Sequence, residues 1–312
     1  MNVVRRTRFA PAPTGFLHLG HVVNAIHVWG LAARLGAQVV LRIEDHDAQR
    51  SRAPYEAGIL DDLDWLGFAP DVYPTDAFRA GGCASRQSNR RQLYASAALS
   101  LSERGLVYAC TCTRQDLERS GWRETSAARG CPGRCGDREL PLTADVSWRL
   151  RLDPGTESYA DLLHGPQVSV PVAAHGDIVI RDRHENWTYT FAVVVDDFDQ
   201  QIDLVIRGDD LRNATADQIR LGRTIGRHTP ARFAHHPVLM RSPTQKLSKA
   251  DGDAGIRELR RAGWTSARVI GTAAAMAGLA GPADVSAADV ASLFADRQLA
   301  SADGWNDPPV HK

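Results

Sequence analysis

A chain of 312 residues is longer than the commonest single domain, so it reads as two or three units with a core large enough to need no staples. Its formal net charge is zero, so any nucleic-acid contact must come from a local basic patch, and no apolar run is long enough to span a bilayer. No apolar signal-peptide core follows residues 1–8, which points to the cytoplasm; there, five cysteines with four of them clustered point to a metal rather than to disulfides.

Residues 8–12 (Arg8, Phe9, Ala10, Pro11, Ala12) read as a buried strand running into a Pro/Gly-rich turn. His18 and His21 flank a Leu-Gly step, and helical periodicity runs from about residue 22 to residue 35, with Gly36 as its stop. A strand, a glycine turn and a helix N-terminus form an anion site, because free backbone N–H groups and the positive dipole end favour phosphate. The two imidazoles can donate to phosphate oxygens; the alternative is an ordinary βα turn with two polar residues. Residues 38–43 read as a second strand closing on Glu44, Asp45, His46 and Asp47, which completes a right-handed βαβ unit with a parallel pair. Ligands of open parallel sheets sit beyond the carboxyl ends of the strands, so Glu44 is placed to hold an amino group or a ribose. Asp45 and Asp47 read as solvated loop charges. Helices follow over residues 54–66 and 90–104, the second stopped by Gly105.

The character changes at residues 106–109. Cys110 and Cys112, then Cys131 and Cys135, suit tetrahedral zinc, and Arg114, Arg129 and Arg134 would help keep the thiols ionised. Cys83 lies apart and reads as an ordinary free thiol. With strands over residues 147–152 and 177–181, this middle segment reads as a small α+β insertion rather than a continuation of the parallel sheet. Arg114, Arg119, Arg123, Arg129 and Arg134 form either a basic face for RNA, with Trp122 available to stack, or a solvated charged loop. The apolar stretch 187–195 and a strand over 201–207 read as the return to the first sheet. Arg8 and Arg207 sit within apolar strands, where an unpaired charge is costly, and each needs an anionic partner: a substrate carboxylate or a structural Asp. Lysine occurs only at Lys246, Lys249 and Lys312. Two of the three lie three residues apart, in a chain that otherwise uses arginine, whose rigid fork does not replace a compact ammonium. From residue 266 the chain is Ala-rich and helical and ends in a polar tail.

His18-Leu-Gly-His21 and Lys246-Leu-Ser-Lys-Ala250, with the Rossmann-like start, resemble the HIGH and KMSKS signatures of class I aminoacyl-tRNA synthetases. The stretch from Arg8 to His21, Leu41-Arg-Ile-Glu-Asp45 and Val205-Ile-Arg-Gly-Asp-Asp-Leu211 bring the resemblance closer to glutamyl-tRNA synthetases, over about residues 7–250. Only about sixty residues follow Ala250, too few for that group's anticodon-binding region, and with the Cys-rich segment the chain is similar to the glutamyl-Q tRNA(Asp) synthetase family.

The resemblance implies an α/β fold: a Rossmann-like parallel sheet split by a small zinc-containing α+β insertion and followed by a short helical C-terminal region. The units would be residues 1–107, 108–186, 187–231 and 232–312. It implies ATP-dependent, tRNA-independent activation of L-glutamate and transfer to the cyclopentenediol of queuosine at the wobble position of tRNA(Asp), whose anticodon stem-loop would be the partner of a monomer. By position, Arg8, Phe9, Ala10, Pro11, Ala12, Glu44, Tyr189 and Arg207 resemble the glutamate pocket, with Arg207 on the side-chain carboxylate and Glu44 on the α-amino group. His18, Gly20, His21 and Lys249 would hold ATP, and His18, His21, Lys246 and Lys249 would be catalytic. Cys110, Cys112, Cys131 and Cys135 would bind one zinc ion, and magnesium would accompany ATP. Cys131 stands where the family often has a tyrosine ligand, and Ala250 ends the lysine loop where a polar residue is usual. Two alternatives are a short glutamyl-tRNA synthetase acylating a tRNA 3′ end and a catalytically silent paralogue that binds tRNA or glutamate.

Overall fold

The computed structural model describes residues 4–113, 115–116, 133, 135–153, 155–169, 176–242, 245–246 and 255–300. It opens with β1 (Arg6–Phe9), α1 (Leu19–Leu35) and β2 (Gln38–Leu41), and β1 pairs with β2 in parallel from Arg6 opposite Gln38 to Phe9 opposite Leu41. The strand lies two residues earlier than the apolar pattern indicates, because Pro11 and Pro13 have no N–H to continue a ladder. Helix α1 ends where Gly36 adopts φ 68°, a left-handed cap that a side chain would strain. Helices α2 (Ala53–Leu66), α3 (Thr75–Arg79) and α4 (Arg91–Glu103) follow.

The chain then builds a three-stranded antiparallel sheet, order β3-β4-β7, from β3 (Val107–Cys110), β4 (Ser147–Leu150) and β7 (Ile178–Arg181). Between its strands lie β5 (Glu157–Asp161) and β6 (Gly165–Ser169), and these correct the reading of residues 108–186 as an insertion outside the parallel sheet. The hairpin β5–β6 joins the main sheet, where β5 runs parallel to β9 (Arg232–His236) and Asp161 lies opposite Phe233. Buried Tyr159 packs edge-on against Phe233 at 5.3 Å, and that apolar contact draws the hairpin in.

The return segment is also corrected. Residues 189–199 form a helix, α5 (Tyr189–Asp199), rather than a strand of the first sheet. A short run buried on every side, such as Phe191 to Val195, carries no period to separate helix from strand. Strand β8 (Leu204–Gly208) then pairs in parallel with β9, and Asp203 N–H donates to the Arg6 carbonyl at 3.0 Å, which sets β8 beside β1. Helix α6 (Thr215–Thr224) lies between β8 and β9 in sequence. The hairpin of β10 (Met240–Ser242) and β11 (Gln245–Lys246) precedes α7 (Ile256–Arg261) and α8 (Ser266–Met276). Helix α8 and the 3₁₀ turn Ala287–Phe294 pack on α1, burying Val269, Ile270, Val290 and Phe294 against Ile26 and Leu31. This is the expected helical C-terminal region. Among the described residues, no helix is long and apolar enough to cross a membrane.

Candidate active site

The histidine turn is a helix cap. His18, extended at φ −137°, precedes α1, and its Nδ1 accepts the Gly20 N–H at 3.1 Å. In return the His18 N–H donates to His21 Nδ1 at 3.2 Å, so the two imidazoles close a capping box, their ring centroids 4.0 Å apart. This is why α1 starts at Leu19, three residues before its apolar stripe. It also fixes the tautomer: with each Nδ1 accepting a backbone N–H, the neutral rings carry their proton on Nε2. Gly20 leaves room for the capping ring, since a Cβ there would lie 2.9 Å from His18 Cε1 and press the imidazole aside.

The chain just past the lysine loop returns to this cap. Ile256 N–H donates to the Leu17 carbonyl at 3.0 Å, and His18 and Gly255 form an antiparallel bridge. Lys246 lies on β11, with its backbone opposite Met240. Lys249 lies outside the described residues.

Beyond the carboxyl ends of β1, β2 and β8, the other predicted residues converge on Tyr189, at the first turn of α5. Its phenol is surrounded by Glu44, Arg207, Arg8 and Asp197, and burial followed by the charge of Glu44 pushes its pKa up. Glu44 is tied to Arg42, which reaches its Oε1 from Nη2 at 3.0 Å and from Nε at 3.3 Å. Its backbone N–H donates to the Pro11 carbonyl at 3.0 Å. Phe9 turns its ring into the core, 5.3 Å from Trp29, so only its backbone faces the strand ends. Ala10 and Ala12 are half-buried and Pro11 is buried along the same turn.

The question of anionic partners is answered differently at the two arginines. Arg8 has a structural acid: its Nε meets Asp197 Oδ1 at 3.3 Å, and its Nη1 donates to the Ile206 carbonyl at 3.1 Å. Asp197 also takes Arg42 Nη1 at 2.8 Å; burial alone would raise its carboxyl, but Arg42 and Arg8 outweigh burial and hold it low. Arg207 is 4% exposed; its hydrogen-bond partners, the Tyr189 phenol among them, are neutral, and the charge of Asp197 reaches it from a longer distance. Its Nε donates to His235 Nε2 at 3.0 Å, Nη1 to Gln218 Oε1 at 2.5 Å, and Nη2 to Thr215 Oγ1 at 2.8 Å and the Leu211 carbonyl at 3.2 Å. Among the described residues no carboxylate comes within ion-pair distance of it, and burial pushes its pKa down.

Three thiols gather at the end of β3. The Cys110, Cys112 and Cys135 sulfurs lie within 4.8 Å of one another, Cys112 and Cys135 at 3.5 Å. Burial, then the crowding of the neighbouring thiols, pushes Cys112 up to about 11, the penalty that a bound cation would remove. Cys131 lies outside the described residues, as do Arg114, Arg119, Trp122, Arg123, Arg129 and Arg134, the candidate RNA face. Cys83 is a separate, buried free thiol.

Sequence reasoning missed the residues that hold this site: Arg42, Asp196, Asp197, Asp161, His235 and Gln218. Arg42, fully buried, is ringed by Glu44, Asp197 and Asp196, and the same argument that singled out Arg8 applies to it, a charge inside an apolar strand. The others carry no local signal, because their partners are remote in sequence.

A βαβ start with two histidines capping its helix, to which the chain returns at Gly255 just past the lysine loop, fits a class I tRNA synthetase catalytic fold. The family model for the catalytic domain of class I tRNA synthetases (E and Q) matches residues 4–274, and the chain belongs to that family. It is 37% identical over 267 residues to a glutamate–tRNA ligase 2 of Syntrophus aciditrophicus, covering 83% of this chain and 54% of that one. It is 35% identical over 281 residues to a glutamyl-Q tRNA(Asp) synthetase of Rhodobacter capsulatus, covering 84% of this chain and 97% of that one. The crystal structure of a glutamate tRNA ligase from Elizabethkingia meningosepticum, in complex with its amino acid, superposes with a TM-score of 0.74 at 25% identity, covering 96% of this chain and 66% of that one. The chain thus spans about half the length of the glutamate–tRNA ligase and nearly all of the glutamyl-Q tRNA(Asp) synthetase.

Proposed function

We propose that this chain activates L-glutamate with ATP, without tRNA, and transfers the glutamyl group to the queuosine cyclopentenediol at the wobble position of tRNA(Asp). The observation that carries the reading is Arg207. A buried guanidinium whose hydrogen-bond partners are all neutral, with Asp197 acting on it only from beyond ion-pair distance, is under-compensated, and a ligand carboxylate relieves it. Glutamate brings a side-chain carboxylate and glutamine does not. Glu44 receives the α-amino group in this reading, and the backbone of residues 9–12 lines the pocket. The family match and the near-complete span of the Rhodobacter relative support the choice of acceptor.

Activation then needs no side-chain nucleophile. The glutamate α-carboxylate attacks the α-phosphate and pyrophosphate leaves, so the protein's task is positioning and charge stabilisation. His18 and His21, with Nε2–H donors set by their capping bonds, meet phosphate oxygens at the positive end of α1. Lys246 and Lys249 neutralise the leaving pyrophosphate, and magnesium accompanies ATP. The thiol knot fits zinc by its donor chemistry, with Cys131 as the fourth ligand, and zinc would fasten the strand end at Cys110 to the turn at Cys135.

The test is ATP–pyrophosphate exchange with glutamate in the absence of tRNA, followed by acylation of tRNA(Asp) with and without queuosine. Exchange without tRNA and acylation only of queuosine-bearing tRNA is the expected result. Exchange that requires tRNA would replace this reading with a 3′-end-acylating enzyme, and no exchange would replace it with a binding paralogue. Arg207→Gln should raise the KM for glutamate by about tenfold or more and leave that for ATP unchanged, the scale of one lost charge-assisted bond.

A further inference from the structure

Arg207 does not lack nearby acids: Asp197 acts on it from beyond ion-pair distance, and a second, Asp161, is held one ring away. Asp161, fully buried at the end of β5, lies behind His235, whose Nδ1 meets Asp161 Oδ2 at 2.6 Å while Nε2 receives Arg207 Nε–H at 3.0 Å. Asp161 Oδ1 accepts the N–H groups of Leu163 at 2.9 Å and His164 at 3.1 Å, so this carboxylate faces donors on both oxygens. The hydrogen bonds therefore assign the His235 proton. Asp161 takes Nδ1–H, and Nε2 presents its lone pair to Arg207. Thr215 Oγ1 lies 3.2 Å from the same nitrogen. Phe233 stacks parallel to the imidazole at 5.7 Å between centroids and also underlies the Arg207 guanidinium at 5.4 Å. The relay joins β5, β9 and β8, three neighbouring strands of the sheet.

We propose that His235, oriented by Asp161, is a positioning residue for the substrate side-chain carboxylate: the imidazole fixes the Arg207 fork and keeps the protein's own carboxylate one ring away from it. Were Asp161 in direct contact, Arg207 would be neutralised internally and would gain little from a ligand carboxylate. A neutral imidazole accepts the Nε–H and leaves the charge for substrate. The wrong tautomer would set Nε2–H against Nε–H and rotate the fork away, the way an asparagine in place of a triad aspartate misplaces a histidine proton. The inference rests on the reading of Arg207 as the carboxylate contact.

Three substitutions test it in glutamate-dependent ATP–pyrophosphate exchange, with Arg207→Gln run alongside and a urea midpoint taken for each. Asp161→Asn is isosteric. Its amide must either face its NH2 to His235 Nδ1 or face it to two backbone N–H groups, so the relay is frustrated without a change in volume. It should raise the KM for glutamate by about tenfold or more while the KM for ATP stays within about twofold. His235→Leu should do the same. His235→Gln, whose amide can donate to Asp161 and accept from Arg207, should restore the glutamate KM to within about threefold of wild type. Glutamate and ATP KM values that rise together, or a glutamine variant no better than leucine, overturn the proposal in favour of a merely structural role. If Arg207→Gln raises the glutamate KM and the Asp161 and His235 variants do not, the positioning role alone fails. If Arg207→Gln itself has no effect, the underlying reading of Arg207 fails and the proposal falls with it. The contrast between leucine and glutamine at position 235 decides the matter even when Asp161→Asn does not fold.

Discussion

Gly20→Ala separates what the histidine turn does for folding from what it does for chemistry. A Cβ at residue 20 would lie 2.9 Å from His18 Cε1 and 3.1 Å from Nδ1, so the imidazole must shift by a few tenths of an ångström and weaken or lose its bond to the Gly20 N–H it now caps. Losing the cap costs about 0.5–2 kcal/mol, and alanine in place of glycine at a helical position returns about 0.5–1 kcal/mol. The two nearly cancel, so the urea midpoint should move little. Activity should not be spared. A phosphate donor displaced by a few tenths of an ångström, with its tautomer no longer held, loses on the order of 10- to 100-fold in rate. ATP–pyrophosphate exchange with glutamate, measured beside a denaturation curve, reads both. An alanine variant that exchanges at the wild-type rate with its stability unchanged would refute the assignment of His18 to the nucleotide.

His27, buried on α1 and stacked on His236 at 4.5 Å, has its pKa pushed down to about 3 by burial and then by His236. Its folded pKa lies below the unfolded value of 6.5, so acid protonates the unfolded chain first, and stability falls as pH drops from about 6.5 toward 3. At pH 5 this one group should cost about 2 kcal/mol relative to pH 7, and His27→Phe should flatten that part of the urea midpoint against pH. Arg42→Met leaves buried Glu44 without its ion-pair partner and takes one cation each from Asp196 and Asp197, which keep Arg90 and Arg8, and unfolding should become easier by about 3–5 kcal/mol in a urea titration. Purified protein should carry one zinc per chain by elemental analysis. Cys112→Ser should lose it and lower the melting temperature, and metal content unchanged by that substitution would remove Cys112 from the ligand set.

The start of the chain was legible because its signals are local. Proline and glycine punctuate β1 and α1, and the spacing of apolar residues marks α1, α2 and α4. The histidine turn, read alone, left open both an anion site and an ordinary βα turn, and took its proposed nucleotide role only together with Lys246 and Lys249. What stayed hidden lies in pairings across sequence. The β5–β6 hairpin looked like part of an insertion because its partner, β9, is some seventy residues further on. Helix α5 was obscured by being apolar on every side, which erases the period that distinguishes it. Arg207 was singled out as a charge in an apolar strand, and rightly so, but its neutral partners Gln218, Thr215 and His235 could not be named from spacing. Asp161, His235 and Arg207 come from three separate strands, and only folding puts them in one line.

The bridge between His18 and Gly255 sets a leash. The chain between Gly255 and Lys249 cannot stretch beyond about 20 Å even when fully extended. A covalent tether of that length corresponds to an effective concentration in the millimolar range, so under the proposed function the ammonium would reach ATP as a tethered reagent rather than by diffusion.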